Sequence, residues 1–337
     1  MSAQKTGLRR ALTLTYAEGE NQRERIKVSG YVRRLICRLS GTIGVSGNGT
    51  NVMNLDPEAI LPSVNVWLNG EQLLHSGRFY DFRIRQGAFG KLGTRDQVGA
   101  TVTSGGAPYA FSSLISLPFE TPNAMMPQDS ILALPSSNDL ELEVTWGTPS
   151  SLINGGTLHL DGSNSSVVPT LKVIADVVRV AKPPTHLYRT GAFDSDALGT
   201  SANTELEISI PKSSKRNYHH MILSTEDVNN AAGGGRRPEA VTLNDIILRQ
   251  ESGGIESNIL GPISGVEAQE EFDEFAENQN GIQTGIFPFL FQGRHHGKNS
   301  FNVQSKGLTE LKWILDHGTF GTDGRVRTLW GVVEELK

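Results

Sequence analysis

Alternation of apolar and polar residues is the clearest pattern in the chain. Residues 140–147 read LELEVTWG, so apolar side chains alternate with glutamate and threonine. Because successive side chains of a strand point to opposite faces of a sheet, this segment predicts a half-buried strand with its carboxylates in solvent. Residues 64–70 (VNVWLNG) predict another strand, and its Asn-Gly ending indicates a hairpin because both turn positions need positive φ.

The predicted elements occur in the same order twice. In the first copy, the strand at 64–70 precedes a helix-like stretch at 76–90 and strands at 109–117, 140–147 and 171–180. The second copy has a strand at 241–249, a helix-like stretch at 266–277 and strands at 285–291, 308–316 and 325–336. The offset falls from about 180 residues to about 155, so the order of elements is repeated rather than the residues themselves.

The N-terminal segment, residues 1–24, is predicted to be an arm that precedes the repeated units. An apolar stripe that includes Leu8 and Leu12 would form one or two helical turns, with Arg9 and Arg10 directed outward. A helix this short is not stable alone, so the arm would need a surface to lie on.

Two interruptions in the apolar pattern carry structural information. Residues 26–45 predict a long strand whose apolar positions change phase around Gly30, and a bulge there would restore the alternation. Further along, Pro183 and Pro184 mark the predicted joint between two domains, because consecutive prolines cannot continue a ladder and they stiffen a connector.

Composition agrees with two all-β domains. The chain has 337 residues, 37 of them glycine, and is 37% hydrophobic and 20% charged, which is globular and too long for one ordinary core. The only cysteine is Cys37, so no disulfide can form within the chain, as expected of a protein made in a reducing cytoplasm. We expect neither a membrane-spanning segment nor a secretory signal, since no long apolar run is present.

Charge is distributed unevenly. The first 40 residues hold nine Lys/Arg and three Glu, a net +6, whereas the remainder carries −11 of the overall −5. A basic segment on an acidic body suggests contact with an anionic neighbour, a lipid surface or nucleic acid. The alternative is a solvated arm followed by a strand with a charged outer face. The residues predicted to make this contact with a membrane or a neighbour are Lys5, Arg9, Arg10, Arg23 and Arg25.

Histidine pairs at 219–220 and 295–296 are the only candidate metal ligands. Adjacent residues of a strand point to opposite faces, so one pair cannot chelate an ion from one side of a sheet. Four histidines from both pairs would have to meet in space to form a site. We therefore predict no metal site and no cofactor.

Other candidate chemistry is weaker. The glycine-rich run at 41–49 has near phosphate-loop spacing but lacks the Gly-Lys-Ser/Thr ending, and it is better interpreted as a turn. The carboxylates at 270–274 have the groups for acid–base catalysis, but a solvated face of an acidic amphipathic helix is the usual explanation. Cys37 is expected to be a small packed core residue. We therefore predict no catalytic residues.

The four tryptophans lie in predicted strands. Burial in the core of a sandwich is the default for Trp67, Trp146, Trp313 and Trp330. Stacking against a glycan would instead require these rings to be exposed in a groove.

The duplicated unit resembles the double jelly-roll major capsid proteins of tailless, icosahedral, membrane-containing bacteriophages, the tectivirus and corticovirus lineage. The resemblance is carried by the Val-x-Val-x-Leu-Asn-Gly hairpin at 64–70, by 126–147 (MPQDSILALPSSNDLELEVTWG) and by the strand-rich stretch 192–226. It concerns architecture and order over about residues 25–337, and no short motif within it is diagnostic.

The resemblance implies an all-β fold of two tandem eight-stranded jelly-roll β-sandwiches with short helices in the loops. The expected parts are the arm at 1–24, a first jelly roll at 25–182 and a second at 183–337. Loops at 99–107, 121–135, 149–168, 229–238 and 251–263 would form outer towers. Three chains would form a pseudo-hexagonal capsomer from six jelly rolls, since fused copies give near-sixfold contacts within a closed threefold ring.

As a capsid subunit, the chain would be a structural protein without catalysis. Its implied partners are itself, neighbouring capsomers, minor capsid or penton proteins and an internal lipid membrane, with no sequence-specific contact to nucleic acid. Its implied location is the virion, after assembly in the host cytoplasm. The alternative is a carbohydrate-binding or carbohydrate-processing protein with two jelly rolls, and a cupin-type metalloenzyme is a third possibility.

Overall fold

The structure is a computed structural model of the chain. It describes residues 4–46, 50–53, 57–89, 100–103, 107–122, 127–149, 152, 157–180, 182–196, 198, 201–212, 217–228, 236–238, 241–276, 285–291, 303–304, 308–321 and 324–336.

The first half of the described chain folds into two facing sheets. Its strands are β1 (Gln4–Thr15), β2 (Asn21–Ile26), β3 (Gly30–Ser46), β4 (Thr50–Met53), β5 (Ser63–Leu68), β6 (Gln72–Gly77), β7 (Ala100–Thr103), β8 (Tyr109–Pro118), β9 (Leu132–Leu134), β10 (Leu140–Thr145), β11 (Thr157–His159) and β12 (Val167–Arg179). Sheet 1a has the order β1–β12–β3–β8, and sheet 1b has the order β2–β10–β5–β6. Strands β9 and β11 pair with β3, and β4 pairs with β7 in a separate ribbon.

The second half repeats this plan. Its strands are β13 (His186–Asp194), β14 (Asn203–Ser209), β15 (Asn217–Val228), β16 (Arg236–Pro238), β17 (Leu243–Ser252), β18 (Ile255–Ile263), β19 (Ile286–Leu290), β20 (Val303–Gln304), β21 (Glu310–His317) and β22 (Arg325–Glu335). Sheet 2a has the order β13–β22–β15–β19, and sheet 2b has the order β14–β21–β17–β18.

Strand order identifies both halves as jelly rolls. If the eight main strands of each half are numbered in chain order, one sheet reads 1-8-3-6 and the other reads 2-7-4-5 in both halves. Helix α1 (Phe79–Phe89) follows the fifth strand of the first half, and helix α2 (Gly265–Ala276) follows the fifth strand of the second. Short 3-10 helices span Pro57–Ile60 and Pro127–Ser130. The predicted fold of two tandem eight-stranded jelly rolls is confirmed.

Each half has its own hydrophobic core. Strand β10 alternates buried and half-buried residues along its whole length, as predicted, and Trp146 follows it into the first core. Trp313 of β21 lies at the centre of the second core. Cys37 is fully buried in the first core, in agreement with the expected packing role. The domain limits 25–182 and 183–337 stay predictions.

The N-terminal segment is a strand, so the expected helical turns were wrong. Strand β1 pairs antiparallel with β12 over its length, and β2 pairs with β10. Leu14 is buried while Leu8 is half exposed, at 51%. A long ladder against β12 satisfies many backbone groups, whereas an isolated short helix satisfies few. The segment therefore belongs to the edges of sheets 1a and 1b.

The bulge expected in the first long strand lies three residues beyond Gly30. In the pairing of β3 with β12, Asp176 is opposite Arg34 and Val177 is opposite Val32, so Arg33 is the extra residue. A bulge releases one residue from the ladder and turns its side chain. Arg33 uses this freedom to donate through Nε to Asp176 Oδ2 at 3.0 Å.

Several segments expected to be loops contain strands. The stretch 251–263 was expected to be a loop, but it forms the β17–β18 turn and β18 itself, with positive φ at Gly253 and Gly254. Most of β18 is exposed because it is an edge strand, so it lacks the alternation that would have predicted it. Within 99–107, 121–135 and 229–238, the described residues include β7, β9 and β16. Within 149–168, residues Thr157–His159 form β11.

Gly191 is required by a tryptophan on the neighbouring strand. It lies opposite Trp330 in the β13–β22 ladder, and a Cβ added there would lie 2.2 Å from Cζ2 of that ring. We predict that Gly191→Ala lowers the free energy of unfolding by about 1–3 kcal/mol, because the packed ring cannot move away without strain. Chemical denaturation measures the change.

Gly318→Ala is the control, because its Cβ would lie 3.6 Å from the nearest atom, at ordinary contact distance. Equal stability of the two variants would contradict the prediction.

Candidate functional site at the seam between the jelly rolls

The seam is the surface where β6 and α1 of the first jelly roll meet sheet 2a. Strands β6 and β13 are edges of their own sheets, and they meet in parallel with His75 opposite Thr190. The Arg189 guanidinium donates through Nε to the Leu73 carbonyl oxygen at 2.8 Å. An uncovered sheet edge can pair with other chains, so this contact hides one free edge of each jelly roll.

Helix α1 lies on the outer face of sheet 2a. Its N-terminus is capped by Asp81, whose carboxylate accepts a hydrogen bond from the Arg78 backbone N–H at 2.7 Å. Tyr80, Ile84 and Ala88 are spaced four residues apart and therefore share one side of the helix. They form a buried cluster with three residues of sheet 2a, namely Ile222, Ile286 and Leu329.

Five charged side chains form one network at the start of α1. Asp81 accepts hydrogen bonds from Nη2 of Arg78 at 3.0 Å and from Nη2 of Arg327 at 2.7 Å. Arg78 makes a two-point contact with Glu226, in which Nη1 lies 3.0 Å from Oε2. Nη1 of Arg327 lies 2.6 Å from Oδ1 of Asp194. The network therefore ties α1 to β13, β15 and β22.

The network stays charged although it is buried. The side chains of Asp81 and Glu226 are fully removed from solvent. Burial by itself would raise the pKa of Asp81, but the guanidinium groups of Arg78 and Arg327 outweigh it and hold that pKa below its ordinary value. Burial would lower the pKa of Arg327, and Asp81 outweighs it, so that pKa is raised. Each group thus depends on its partners.

Arg85 is a second buried cation, one turn further along α1. Its Nη2 donates to the Gly191 carbonyl oxygen, and its guanidinium carbon lies 5.1 Å from the centroid of the Phe82 ring. Burial lowers the pKa of Arg85 to about 10, so it is still charged at neutral pH. This contact joins α1 to the same strand edge that β6 covers.

His75 lies in the middle of the seam. It is fully buried, and its Nδ1 lies 2.9 Å from Oγ1 of Thr190 on β13. Burial lowers the pKa of His75 to about 3, and the positive charges of Arg85 and Arg189 lower it further. The ring is therefore neutral at physiological pH.

The pair His219 and His220 departs from the alternation expected of a strand. The β15–β22 ladder skips one residue between Tyr218 and His220, and the two rings contact each other with their Nδ1 atoms 3.1 Å apart. The expectation of opposite faces was wrong because a bulge breaks the alternation. Burial, with the charges of His219 and Arg85 adding to it, holds the pKa of His220 well below its ordinary value.

No metal centre is formed by these rings within the described part of the chain. Its residues contain no group of three or more His, Cys, Asp or Glu side chains placed to hold an ion. The second pair, His295 and His296, lies outside the described residues.

The basic residues selected from the sequence are separated in the structure. Arg23 Nε donates to Glu141 Oε2 at 2.6 Å, and Arg25 pairs with Asp139, so both charges are matched within the chain. Arg9 is exposed on β1. The side chains of Lys5 and Arg10 lie outside the described residues, although both residues belong to β1.

The tryptophans divide into two kinds. Trp146 and Trp313 are buried in the two cores, as predicted. Trp67 and Trp330 are only half-buried; Trp330 still packs against the second core, whereas Trp67 belongs to neither core, so the prediction was wrong for Trp67. Trp67 donates to Glu143 at 2.8 Å under the Arg23 guanidinium. Trp330 covers Gly191 at the seam.

Across the helices that the structure describes, none has both the length and the apolar character needed to cross a bilayer.

Comparison with known proteins finds relatives in structure but not in sequence. No protein-family model and no curated protein matches the chain. A chain in the atomic structure of Sulfolobus Turreted Icosahedral Virus matches 98% of this chain, with 90% of that chain covered, at a TM-score of 0.70 and 13% identity. The major capsid protein P2 from bacteriophage PM2 matches with 98% of both chains covered, at a TM-score of 0.61 and 11% identity. A chain of the PBCV-1 virus capsid matches 97% of this chain, with 92% of that chain covered, at a TM-score of 0.63 and 12% identity.

The fold is a double jelly roll. The matches extend over both halves at once, so the likeness is to the double unit and not to a single jelly roll. At these identities the likeness establishes the fold alone, and the role of the protein is a separate inference.

Removal of one partner of the buried network is expected to be costly. We predict that Arg78→Met lowers the free energy of unfolding by about 3–5 kcal/mol, because Glu226 would be left buried without its partner. Chemical denaturation gives the value. Arg25→Met is the control, since its pair with Asp139 is largely exposed and should contribute no more than about 1 kcal/mol. Equal losses in the two variants would argue against a special role of the seam.

His75 should make the stability of the seam fall in acid. Because its pKa is lowered in the folded chain, stability is complete above the ordinary pKa of 6.5 and is lost as the pH falls from there towards about 3. By pH 5 the loss from this one group is about 2 kcal/mol. We predict that His75→Gln, measured by denaturation at pH 7.5 and pH 5, reduces the difference between the two pH values by that amount.

His186→Gln is the matched control for this measurement, because His186 is half-buried beside Thr185, away from α1. An unchanged pH dependence in His75→Gln would refute the assignment.

Proposed function

We propose that the protein is a viral major capsid protein, a structural subunit of a virion shell. One observation carries the proposal: its double jelly roll matches, over nearly the whole of both chains, structures described as a major capsid protein and a virus capsid. Fold alone does not define function, so the proposal also rests on what the seam does.

The seam supports this role because it joins the two jelly rolls through a strand contact, an apolar cluster and a buried ion network. Its charged groups are used in contacts between the halves rather than presented in a cleft, as the network around Asp81 illustrates. A shell subunit must keep a constant angle between its parts, and we propose that the directional ion network helps to fix that angle.

The subunit would assemble as a homotrimer. Three chains supply six jelly rolls, which gives a capsomer of pseudo-hexagonal outline that can tile an icosahedral shell. Further proposed partners are neighbouring capsomers, minor capsid or penton proteins and an internal lipid membrane, and the protein would reside in the virion after assembly in the host cytoplasm. No catalysis, cofactor or sequence-specific contact to nucleic acid is part of the proposal.

Within the basic segment, β1 is the part proposed to contact a neighbour. Arg9 is exposed on this edge strand, and Lys5 and Arg10 belong to the same strand. Arg23 and Arg25 are proposed to contribute less, because carboxylates of the same chain already match their charges.

The carbohydrate-binding alternative is not favoured. It requires exposed aromatic rings, but Trp146 and Trp313 are buried in the cores and Trp67 is covered by Arg23. Aromatic stacking on a sugar needs an accessible ring face.

Assembly of the purified protein tests the proposal. We predict a particle of three 36.5 kDa chains, about 110 kDa, in mass photometry, with a hexagonal outline in negative-stain images. The same sample on a glycan array should give no binding. A protein that remains monomeric at high concentration, or one that binds a glycan through a tryptophan, would contradict the capsid role.

A further inference from the structure

The seam inside the chain offers a template for contacts between chains. In it, the edge strand β6 meets the edge strand β13, and the helix after β6 lies on the outer face of sheet 2a. The second jelly roll has the same two elements in the same order, namely β18 and α2. Strand β18 is also the edge of its sheet, and within the described chain no strand pairs with its outer side.

The two edge-and-helix units match in detail. Helix α1 begins two residues after β6, and α2 begins two residues after β18. Both helices are capped by the carboxylate of their third residue: Asp81 accepts from the Arg78 N–H, and Glu267 accepts from the Ser264 N–H at 2.8 Å. Ser264 also accepts a hydrogen bond from the Glu267 N–H, which completes a capping box. The units therefore present their helices in the same way.

The side of α2 that corresponds to the packed side of α1 is exposed to solvent. Counting from the first residue of each helix, Val266 corresponds to Tyr80 and Glu270 corresponds to Ile84. Tyr80 and Ile84 are buried in the seam, whereas Val266 is 63% exposed and Glu270 is exposed. The apolar Val266 is therefore open to solvent at the position where α1 buries Tyr80 against a neighbouring sheet.

The surface that corresponds to the receiving face of sheet 2a is the outer face of sheet 1a. Lys172 lies opposite Arg38 in the β12–β3 ladder, and Arg38 lies opposite Leu114 in the β3–β8 ladder, so the three side chains form one row. All three are exposed, Leu114 at 51%. Their neighbours along the strands point into the core, namely Cys37, Val173 and Ile115.

The charges of the two bare surfaces are opposite. Arg38 donates to Ser112 Oγ at 3.1 Å, and within the described chain neither Arg38 nor Lys172 has a carboxylate within 4 Å. Helix α2 carries the exposed Glu270, and its sequence contains further carboxylates at 271, 273 and 274. Complementary charge at an interface guides encounter and fixes the relative position of the partners.

We propose that α2 and β18 of one copy dock on the outer face and β1 edge of sheet 1a of a second copy, as α1 and β6 dock on sheet 2a within the chain. This inference rests on the proposed capsid function and assigns the surfaces that hold the trimer together. The contact is head-to-tail, so it builds a closed ring only if the rotation closes. With three copies, three seams within chains and three between chains alternate around six jelly rolls.

The difference in chemistry between the two junctions fits their different tasks. The internal seam forms once, during folding, and can bury apolar and fully desolvated charged groups. A surface between copies must stay soluble before assembly, so exposed charges of opposite sign replace the apolar cluster, and the contact weakens as salt is added.

Charge reversal tests the proposal. Arg38→Glu with Lys172→Glu should shift the particle from about 110 kDa to the 36.5 kDa monomer in mass photometry, because like charges would then face α2. Adding Glu270→Lys to the same chain should restore the trimer. The matched control is Lys27→Glu with Lys212→Glu, an equal change of charge at two exposed residues outside this face, and it should remain a trimer.

Crosslinking gives a result that does not depend on the reversed variants folding. Leu114→Cys with Val266→Cys, treated with a flexible bis-maleimide, should yield covalent dimers and trimers, whereas each single variant should yield neither. Native Cys37 is buried, and burial raises the pKa of its thiol to about 12, so it should not react.

The outcomes separate the two proposals. A wild-type trimer that survives charge reversal and gives no crosslink would overturn this interface and leave the capsid role standing. A wild-type protein that never leaves the monomeric state would overturn both.

Discussion

The buried carboxylate of Asp81 is the group on which the arrangement of the two halves depends. It caps α1 through the Arg78 N–H and accepts hydrogen bonds from the side chains of Arg78 and Arg327, so one side chain fixes a helix end and both sides of the seam. A buried charge is tolerated only with good geometry, so an arrangement of the halves that separated Asp81 from Arg327 would leave a buried charge without its partner. The network therefore selects one arrangement rather than simply adding attraction.

The need to cover unpaired sheet edges is the second constraint on this fold. Each jelly roll has open edges, and an open edge risks unwanted pairing. One edge strand of each half is covered at the β6–β13 contact. Strands β1 and β18 are still edge strands within the chain. The half-exposed Leu8 and the strongly exposed Ile255, at 73%, lie on these two strands, which places the apolar surface where a neighbour can cover it.

The sequence was informative wherever one face of an element is buried. The alternating residues 140–147 predicted β10, because burial of one face imposes a period. The repeated order of elements predicted α1, α2 and the duplication. The edge strands β1 and β18 were not predicted, because exposed strands lack the alternation of apolar and polar residues. The seam was missed because charged residues such as Glu226 are normally expected in solvent. The local sequence signals for the seam were Asp81, the acidic third residue of α1, and the arginines inside the apolar run at 325–336.

The distance along the chain between partners of the network affects when the molecule becomes complete. Asp81 and Arg327 are separated by 246 residues. During synthesis, the first jelly roll emerges with Asp81, Arg78 and the apolar side of α1 still uncovered, and no earlier strand supplies Arg327. The seam can close only after β22 has been made and inserted between β13 and β15. A nascent or truncated chain therefore exposes apolar and charged surface on α1 that the finished chain covers.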